Sequence, residues 1–401
     1  MKKKNTVTIL LPFLSVLFFL GIFEITLNVI GFSALFYENG VGIPFWAKNT
    51  PSVLGALKSE LRQDGKLSDD TQAYEEDLTL FYKLRSNLNL TVRFYDLSGE
   101  KLLAPFPNWE IITDQHGHRI PANSPAPCPE QTVNKINIAA LGGSSFFGWG
   151  LDYEKTLGGR IPELIRASTD QCINFTNYAA PGYALSQHLK ILKRIIKSDK
   201  KPAFIILDPT SNADVPVNMP DKEVEAARQS PIGTSRYYIS RLKTFQLMEM
   251  IISRLKPTSS TIEEGPEKSP SLPPRIPLGE YEAKLESFIL LTQQNQIKLL
   301  IVGICASKNY IETTTRIALK HDLPFFDFYS FLQDESCGIK ESELADSRIK
   351  QLENIYGKEL LAEKKHLKIL FPDTCHPNET GHEILSNVVF TKIQNLGWLN
   401  Q

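Results

Sequence analysis

The sequence predicts an α/β chain: a three-layer α/β/α domain around a five-stranded parallel sheet, preceded by one N-terminal transmembrane helix. Three observations predict it. Short apolar runs alternate with amphipathic segments from residue 136 onward. One of those runs, Ala203-Phe-Ile-Ile-Leu207, is apolar throughout, as a strand covered on both faces must be. And the apolar residues of the first forty positions are not patterned at all, but continuous.

That first segment comes first in the chain. From Asn5 to Phe23 there are 19 residues without a charge, and the run continues past a single Glu24 to Tyr37. A bilayer core of about 30 Å takes about 20 helical residues, so one span fits. Lys2, Lys3 and Lys4 precede the run, and no Lys or Arg follows until Lys48. This asymmetry predicts a cytoplasmic N-terminus and an extracytoplasmic remainder. The apolar stretch is too long for the core of a cleaved signal peptide, and Phe32-Ser33-Ala34 is a poor cleavage site. The expected organisation is a cytoplasmic tip (1–6), an anchor (7–36), a juxtamembrane linker and lead-in (37–109), and the α/β domain (110–401).

Within that domain the expected order is strand Ile136–Leu141, helix Thr156–Ala167, strand Cys172–Tyr178, helix Leu185–Ile196 and strand Ala203–Leu207. An insertion at about 215–280 interrupts the alternation. It holds a helix over Tyr237–Leu255 and a Pro- and Ser-rich stretch, Lys256–Pro274. Helix Tyr281–Asn295, strand Leu299–Gly303, helix Thr313–Lys320, strand Pro324–Phe328, a charged helix at about Glu341–Lys364 and a last helix at about Gly381–Leu396 complete the pattern.

Composition narrows the function. Forty-four Lys+Arg face 45 Asp+Glu, a net charge of −1. No cationic excess exists to neutralise a phosphate backbone, which excludes a nucleic-acid partner. The five cysteines (Cys128, Cys172, Cys305, Cys337, Cys375) form no C-x-x-C pair, so thioredoxin-type and zinc-ribbon chemistry is unsupported. One or two disulfides fit an extracytoplasmic location, and the odd count leaves at least one thiol without an intramolecular partner.

Ligands of open α/β sheets collect at the carboxyl ends of the strands. Four blocks of polar residues fall at or near such ends. Gly142-Gly-Ser144-Ser follows the first strand, a turn that exposes a hydroxyl beside backbone N–H groups. Gly182 follows the second strand in Ala180-Pro-Gly-Tyr. Asn212 follows the third in Asp208-Pro-Thr-Ser-Asn, where its amide can serve an oxyanion or simply cap a helix. Near the C-terminus, Asp373-Thr-Cys-His376 places a carboxylate three residues before an imidazole, which can hold its tautomer and leave Nε2 to accept a hydroxyl proton. His376 with His382 as metal ligands is the rival reading; it lacks an H-E-x-x-H and a third ligand cluster.

In their order and spacing these blocks resemble the SGNH (GDSL-type) hydrolase superfamily, in its membrane-anchored bacterial form, over about residues 110–398. The resemblance implies a flavodoxin-like three-layer fold and a carboxylic ester hydrolase without metal or cofactor. It also implies Ser144 as nucleophile, Asp373 and His376 completing the triad, and an oxyanion hole of the Ser144 N–H, the Gly182 N–H and the Asn212 side chain. Gly143 stands where the family name-motif has Asp, while Thr210 and Ala213 replace a Gly and an Asp of the third block. Phe146 and Phe147 read as core packing rather than an acyl-binding wall. Thr113–Arg119 resembles the lead-in of anchored members, with Arg119 bracing a loop.

The expected activity is therefore an anchored serine esterase or acylhydrolase on O-acyl esters of surface glycans or lipids, placed in the bacterial periplasm or at the cell surface. Two alternatives use the same residues: O-acyl transfer to a polysaccharide beside a membrane acyltransferase partner, and a non-catalytic glycan-binding or assembly protein. The sequons at Asn89, Asn174 and Asn378 read as accidental, because two of them fall in a core strand and beside His376.

Overall fold

The computed structural model describes residues 3–32, 34–38, 41–44, 47, 73–92, 109–123, 135–255, 272–333, 346–371 and 375–399. Helix α1, Lys3–Val29, takes up the uncharged N-terminal run. Two strands, β1 (Leu35–Glu38) and β2 (Val41–Pro44), pair after it as a hairpin. Among the described residues, no helix is long and apolar enough to cross a membrane; the side chains of positions 3–11 and 13 of α1 fall outside that description.

The lead-in forms two further antiparallel pairs, β3 (Tyr74–Asp77) with β4 (Phe81–Leu84), and β5 (Asn89–Val92) with β6 (Trp109–Ile112). Tyr74, Phe81, Tyr82, Trp109 and Ile111 are buried in the same apolar cluster as the central sheet. The lead-in thus packs into the core.

Five parallel strands then build the sheet: β7 (Lys135–Leu141), β8 (Cys172–Asn177), β9 (Phe204–Leu207), β10 (Lys298–Gly303) and β11 (Phe325–Asp327). Their spatial order is β11-β10-β9-β7-β8. The four residues of β9 are all buried, because the strand lies between two neighbours and under helices on both faces. Short α2 (Ser144–Phe147) leaves β7 and is followed by α3 (Leu157–Ser168), whose N-cap Thr156 side chain accepts the Gly159 N–H. Helix α4 (Leu185–Ile195) leads back to β9.

The insertion after β9 holds α5 (Asp221–Gln229), α6 (Pro231–Ile239) and α7 (Lys243–Leu255). Its neck is closed by pairing across its base: Arg275 N–H donates to Val215, Ile276 N–H to Ala213 and Val217 N–H to Pro273. Helices α8 (Leu278–Gln294), α9 (Lys308–Lys320), α10 (Phe328–Gln333), α11 (Asp346–Tyr356), α12 (Lys358–Glu363) and α13 (Glu379–Asn395) complete the chain. Helix α3 packs on α13, and α4 packs on α8, which packs on α9, giving one helical layer on each face. The predicted three-layer, five-stranded architecture is the one observed.

Three helices depart from expectation. The single helix expected over Tyr237–Leu255 is two, because Ser230 caps a new helix with Pro231 in its first turn, and that helix ends at Ile239. The charged helix at 341–364 breaks at Gly357, with φ of 81°. Its first residues, and most of the expected loop, positions 256–271, lie outside the described residues. Helix α9 starts at Lys308, five residues before the predicted start.

Candidate active site

Strand order fixes where the site falls. β7 lies between β8 and β9, so the chain leaves β7 to one side and returns from β8 to the other. The crevice at the carboxyl ends of β7 and β9 is the switch point of the sheet. Ser144 follows β7 and Asn212 follows β9, so the two blocks meet there.

The decisive contact is between Ser144 Oγ and His376 Nε2, 2.7 Å apart across 232 residues of chain. Trp149 packs on the imidazole, ring centroids 4.7 Å apart. The neighbouring Ser145 hydroxyl donates to the Cys375 carbonyl at 3.1 Å, and Cys375 is bonded to Cys305 just beyond β10. The histidine loop is therefore tied both to the serine's own helix and to the sheet. Asp373 lies outside the described residues.

Gly143 has a steric reason. A Cβ there would sit 2.6 Å from Ser211 Cβ and 2.7 Å from Asn212 Nδ2. A side chain at 143 would require Ser211 and the Asn212 carboxamide to shift, so Gly143 and the position of Asn212 fit together in this structure. Asn212 takes a φ of 56°, a left-handed conformation that Asn tolerates. The turn that sets it is built on buried Asp208, which accepts from the Thr210 N–H (3.0 Å), the Thr210 hydroxyl (2.7 Å) and the Ser211 hydroxyl. Burial raises the Asp208 pKa in spite of these bonds. Thr210 is thus a working turn residue, and Ala213 is fully buried behind it.

The loop carrying Gly182 is held by its carbonyls. Tyr82 donates its hydroxyl to Pro181 O (2.7 Å), Arg275 donates to Gly182 O, and Asn212 Nδ2 donates to Tyr183 O at 2.9 Å. Gly182 itself has φ of 75°, a conformation that excludes a side chain at low cost. Among the described residues, neither the Ser144 N–H nor the Gly182 N–H finds an acceptor. Ser144, Gly182, Asn212 and His376 are all half-buried, whereas Gly143, Ser145, Tyr183 and Ala213 beside them are buried. Ser144 Oγ faces the His376 imidazole, and the half-buried Asn212 and Gly182 lie on the adjoining loops, Asn212 beside Gly143 and bonded to the Gly182 loop.

Other expected residues have structural places. His382 is fully buried, accepts the Leu157 N–H on Nδ1 and is held neutral by burial, its pKa lowered to about 3. Its Nδ1 serves the first turn of α3. His188 is likewise buried and lowered to about 3 by desolvation. Phe146 and Phe147 are fully buried, as core packing requires. Asn378 caps α13, its side chain accepting from the Gly381 N–H at 3.0 Å. Asn174 donates to Asn137 Oδ1 on the neighbouring strand.

Arg119 braces the serine's helix from beneath. Its guanidinium donates to the carbonyls of Phe147 (2.8 Å), Gly148 (3.0 Å), Leu151 and Glu110 (2.9 Å). It lies 4.5 Å from the Phe147 ring centroid and 5.2 Å from that of Trp109. Burial lowers its pKa to about 10, which leaves it charged at neutral pH.

Two participants escaped the sequence reading. Trp149 stands between glycines (Gly148-Trp-Gly150), a pattern that marks a constrained aromatic. Arg275 stands between prolines at the end of the insertion and offered no signal beyond its isolation.

No family model matches the chain, and no curated protein matches it. Solved structures similar to it include that of TesA (11% identity, TM-score 0.37, 65% of this chain and 99% of the other). A second is the psychrotrophic esterase EstA from Pseudoalteromonas sp. (12%, 0.37, covering 66% and 99%). A third is a lipase/acylhydrolase from Enterococcus faecalis (13%, 0.36, covering 65% and 96%). The fold assignment rests on the chain's own strand order and register.

Proposed function

We propose that the chain is a serine ester hydrolase, anchored by α1 with its α/β domain outside the cytoplasm. The observation that carries the chemistry is the 2.7 Å contact between Ser144 Oγ and His376 Nε2 at the sheet's switch point. A serine hydroxyl is a weak nucleophile until a base takes its proton as it attacks. His376 is that base. Ser144 Oγ bonds to the acyl carbon, the carbonyl π electrons move to oxygen, and the proton passes to Nε2.

The developing oxyanion is received by the N–H groups of Ser144 and Gly182 and by Asn212 Nδ2. Such donors stabilise the tetrahedral state because they are fixed before charge develops there. His376 then protonates the leaving alcohol, and the ester bond breaks to leave acyl-Ser144. Water attacks this acyl carbon, giving its proton to Nε2, and the acid departs as Oγ recovers it. Asp373 is assigned to orient the imidazole, three residues upstream of it. The residues complete this cycle without a metal or organic cofactor. The lysines at positions 2–4 and the uncharged run behind them support the anchored orientation.

Ser144→Ala tests the reading. Turnover of p-nitrophenyl acetate should fall at least ~10³-fold with an unchanged circular dichroism spectrum, and a fluorophosphonate should label the parent chain but not the variant. Turnover equal to that of the parent would overturn the assignment.

A further inference from the structure

Helices α6 and α7 pose a physical problem. Neither buries a single residue. Helices of nine and thirteen residues are marginal in water by themselves and normally persist by burying an apolar face. Helix α7 packs on α1 and half-buries Phe245, Leu247 and Met250, yet other apolar residues point outward: Ile232 is 82% exposed, Leu255 77%, and Ile239, Met248, Ile251 and Ile252 are exposed with them. Between the helices lies a groove of about 400 Å³, lined by Pro231, Ile232, Ser235, Arg236, Ile239 and Phe245.

Three features identify what covers this face. The first is continuity with α1. Glu24, the lone acid of the uncharged run, caps α7 from 219 positions away: its carboxylate accepts the N–H groups of Lys243 and Thr244 (2.8 Å each) and the Thr244 hydroxyl (2.9 Å). Acids at a helix N-terminus satisfy its orphan donors and its dipole. The described side chains of α1, from Leu14 to Val29, are themselves largely exposed, Leu27 excepted. The second is charge: residues 231–255 carry Arg236, Arg241, Lys243 and Arg254 against one acid, Glu249. The third is composition at the boundary, where Tyr237 and Tyr238 sit beside these cations, and Arg241 lies 4.3 Å from the Tyr237 ring centroid. Apolar residues rimmed by arginine and tyrosine make up an interfacial helix.

We propose that α6 and α7 lie in the plane of an anionic lipid surface, at the level where α1 emerges, with Ile232, Met248, Ile251 and Leu255 in the acyl boundary. The proposal rests on α1 as the anchor and deepens it. It also orients the catalytic crevice. Asp221, at the start of α5 in the same insertion, pairs with Arg275, which holds the Gly182 carbonyl, so the seated insertion sets the height of the oxyanion loop above the lipid.

The test uses the full chain in vesicles of phosphatidylglycerol and phosphatidylcholine, with and without phosphatidylcholine brominated in its acyl chains. Three single variants are compared with the parent, whose four tryptophans supply the baseline: Ile251→Trp on α7, Phe19→Trp on α1, and Leu319→Trp, exposed on α9 of the sheet domain. The added emission of Ile251→Trp should be blue-shifted and about twofold quenched by the brominated chains, as in Phe19→Trp, while Leu319→Trp stays unquenched. An unquenched Ile251→Trp beside a quenched Phe19→Trp overturns the seated platform and leaves the anchor standing. An unquenched pair overturns both. Quenching of Ile251→Trp alone overturns α1 as the span, and with it the platform as placed at the exit of α1.

Discussion

Arg275 shows how one side chain can govern a site it does not enter. It is 2% exposed and makes three polar contacts, to Asp221 Oδ1 (2.7 Å), to Gln187 Oε1 (3.1 Å) and to the Gly182 carbonyl. Gln187 Oε1 in turn accepts the Ala184 N–H at the start of α4. The Gly182 carbonyl shares its peptide plane with the Tyr183 N–H, and the Gly182 N–H shares one with the Pro181 carbonyl that Tyr82 holds, so Arg275 and Tyr82 fix the loop from either side of the Gly182 Cα. We therefore treat Arg275 as a positioning residue. Arg275→Met should lower kcat by about 10- to 100-fold and leave KM within about twofold, because the oxyanion forms only in the transition state. The paired variant Asp221→Asn/Arg275→Met avoids stranding a buried carboxylate and should show the same kcat loss with a higher unfolding midpoint than the single variant. Equal effects on kcat and KM, or none, would assign Arg275 to stability alone.

Legibility divides along the same line at this scale. Ser144, Gly182, Asn212 and His376 could be read because their residue types are chemically unusual at strand ends, and strand ends converge in a parallel sheet. Arg275 could not, because its role depends on a neck closed by residues 213–217 and 273–276, a pairing that no local pattern announces. The steric pairing of Gly143 with Asn212 was equally hidden, being a contact between loops after two different strands.

Among the elements, α2 is the least self-sufficient. It is four residues long, without a side-chain N-cap, and it carries the proposed nucleophile. Its last carbonyls are claimed by Arg119, a cation at a helix C-terminus, where the dipole favours it. Arg119→Met would take the guanidinium donor from four carbonyls, of which Gly148 keeps a loop partner, the Leu151 N–H at 3.3 Å. That change should cost about 3–5 kcal/mol, read as a lower urea midpoint at unchanged m-value, with loss of activity below the unfolding transition. A stability change under 1 kcal/mol would show that water replaces the guanidinium. The sequence singled out Arg119 within Thr113–Arg119 but could not name its acceptors, since three of the four carbonyls belong to residues 28 to 32 positions onward. The split of the expected 237–255 helix has a similar origin: α7 begins at Lys243 under the carboxylate of Glu24, and only the fold brings that cap to it.

For the whole molecule, the parallel sheet supplies convergence but no closure, because β10 and the histidine loop belong to segments far apart in the chain. The Cys305–Cys375 bond closes that gap across 70 residues. Cys172 is disulfide-bonded as well. Crosslinking a loop of this length removes chain entropy from the unfolded state worth about 4 kcal/mol, and oxidised cysteines fit the extracytoplasmic placement proposed for the domain. The bond has a second consequence. Cys375 precedes His376, so releasing it frees the segment whose imidazole must stay 2.7 Å from Ser144 Oγ. Cys305→Ser/Cys375→Ser should accordingly do two separable things. Its urea midpoint should fall by the equivalent of about 2–4 kcal/mol. At denaturant-free conditions, where the variant is still folded, kcat should fall about tenfold or more, since a displaced base forfeits oriented proton transfer. A lower midpoint with undiminished kcat would limit the bond to stability, and would mean that Ser145, donating to the Cys375 carbonyl, is enough to hold the histidine in place.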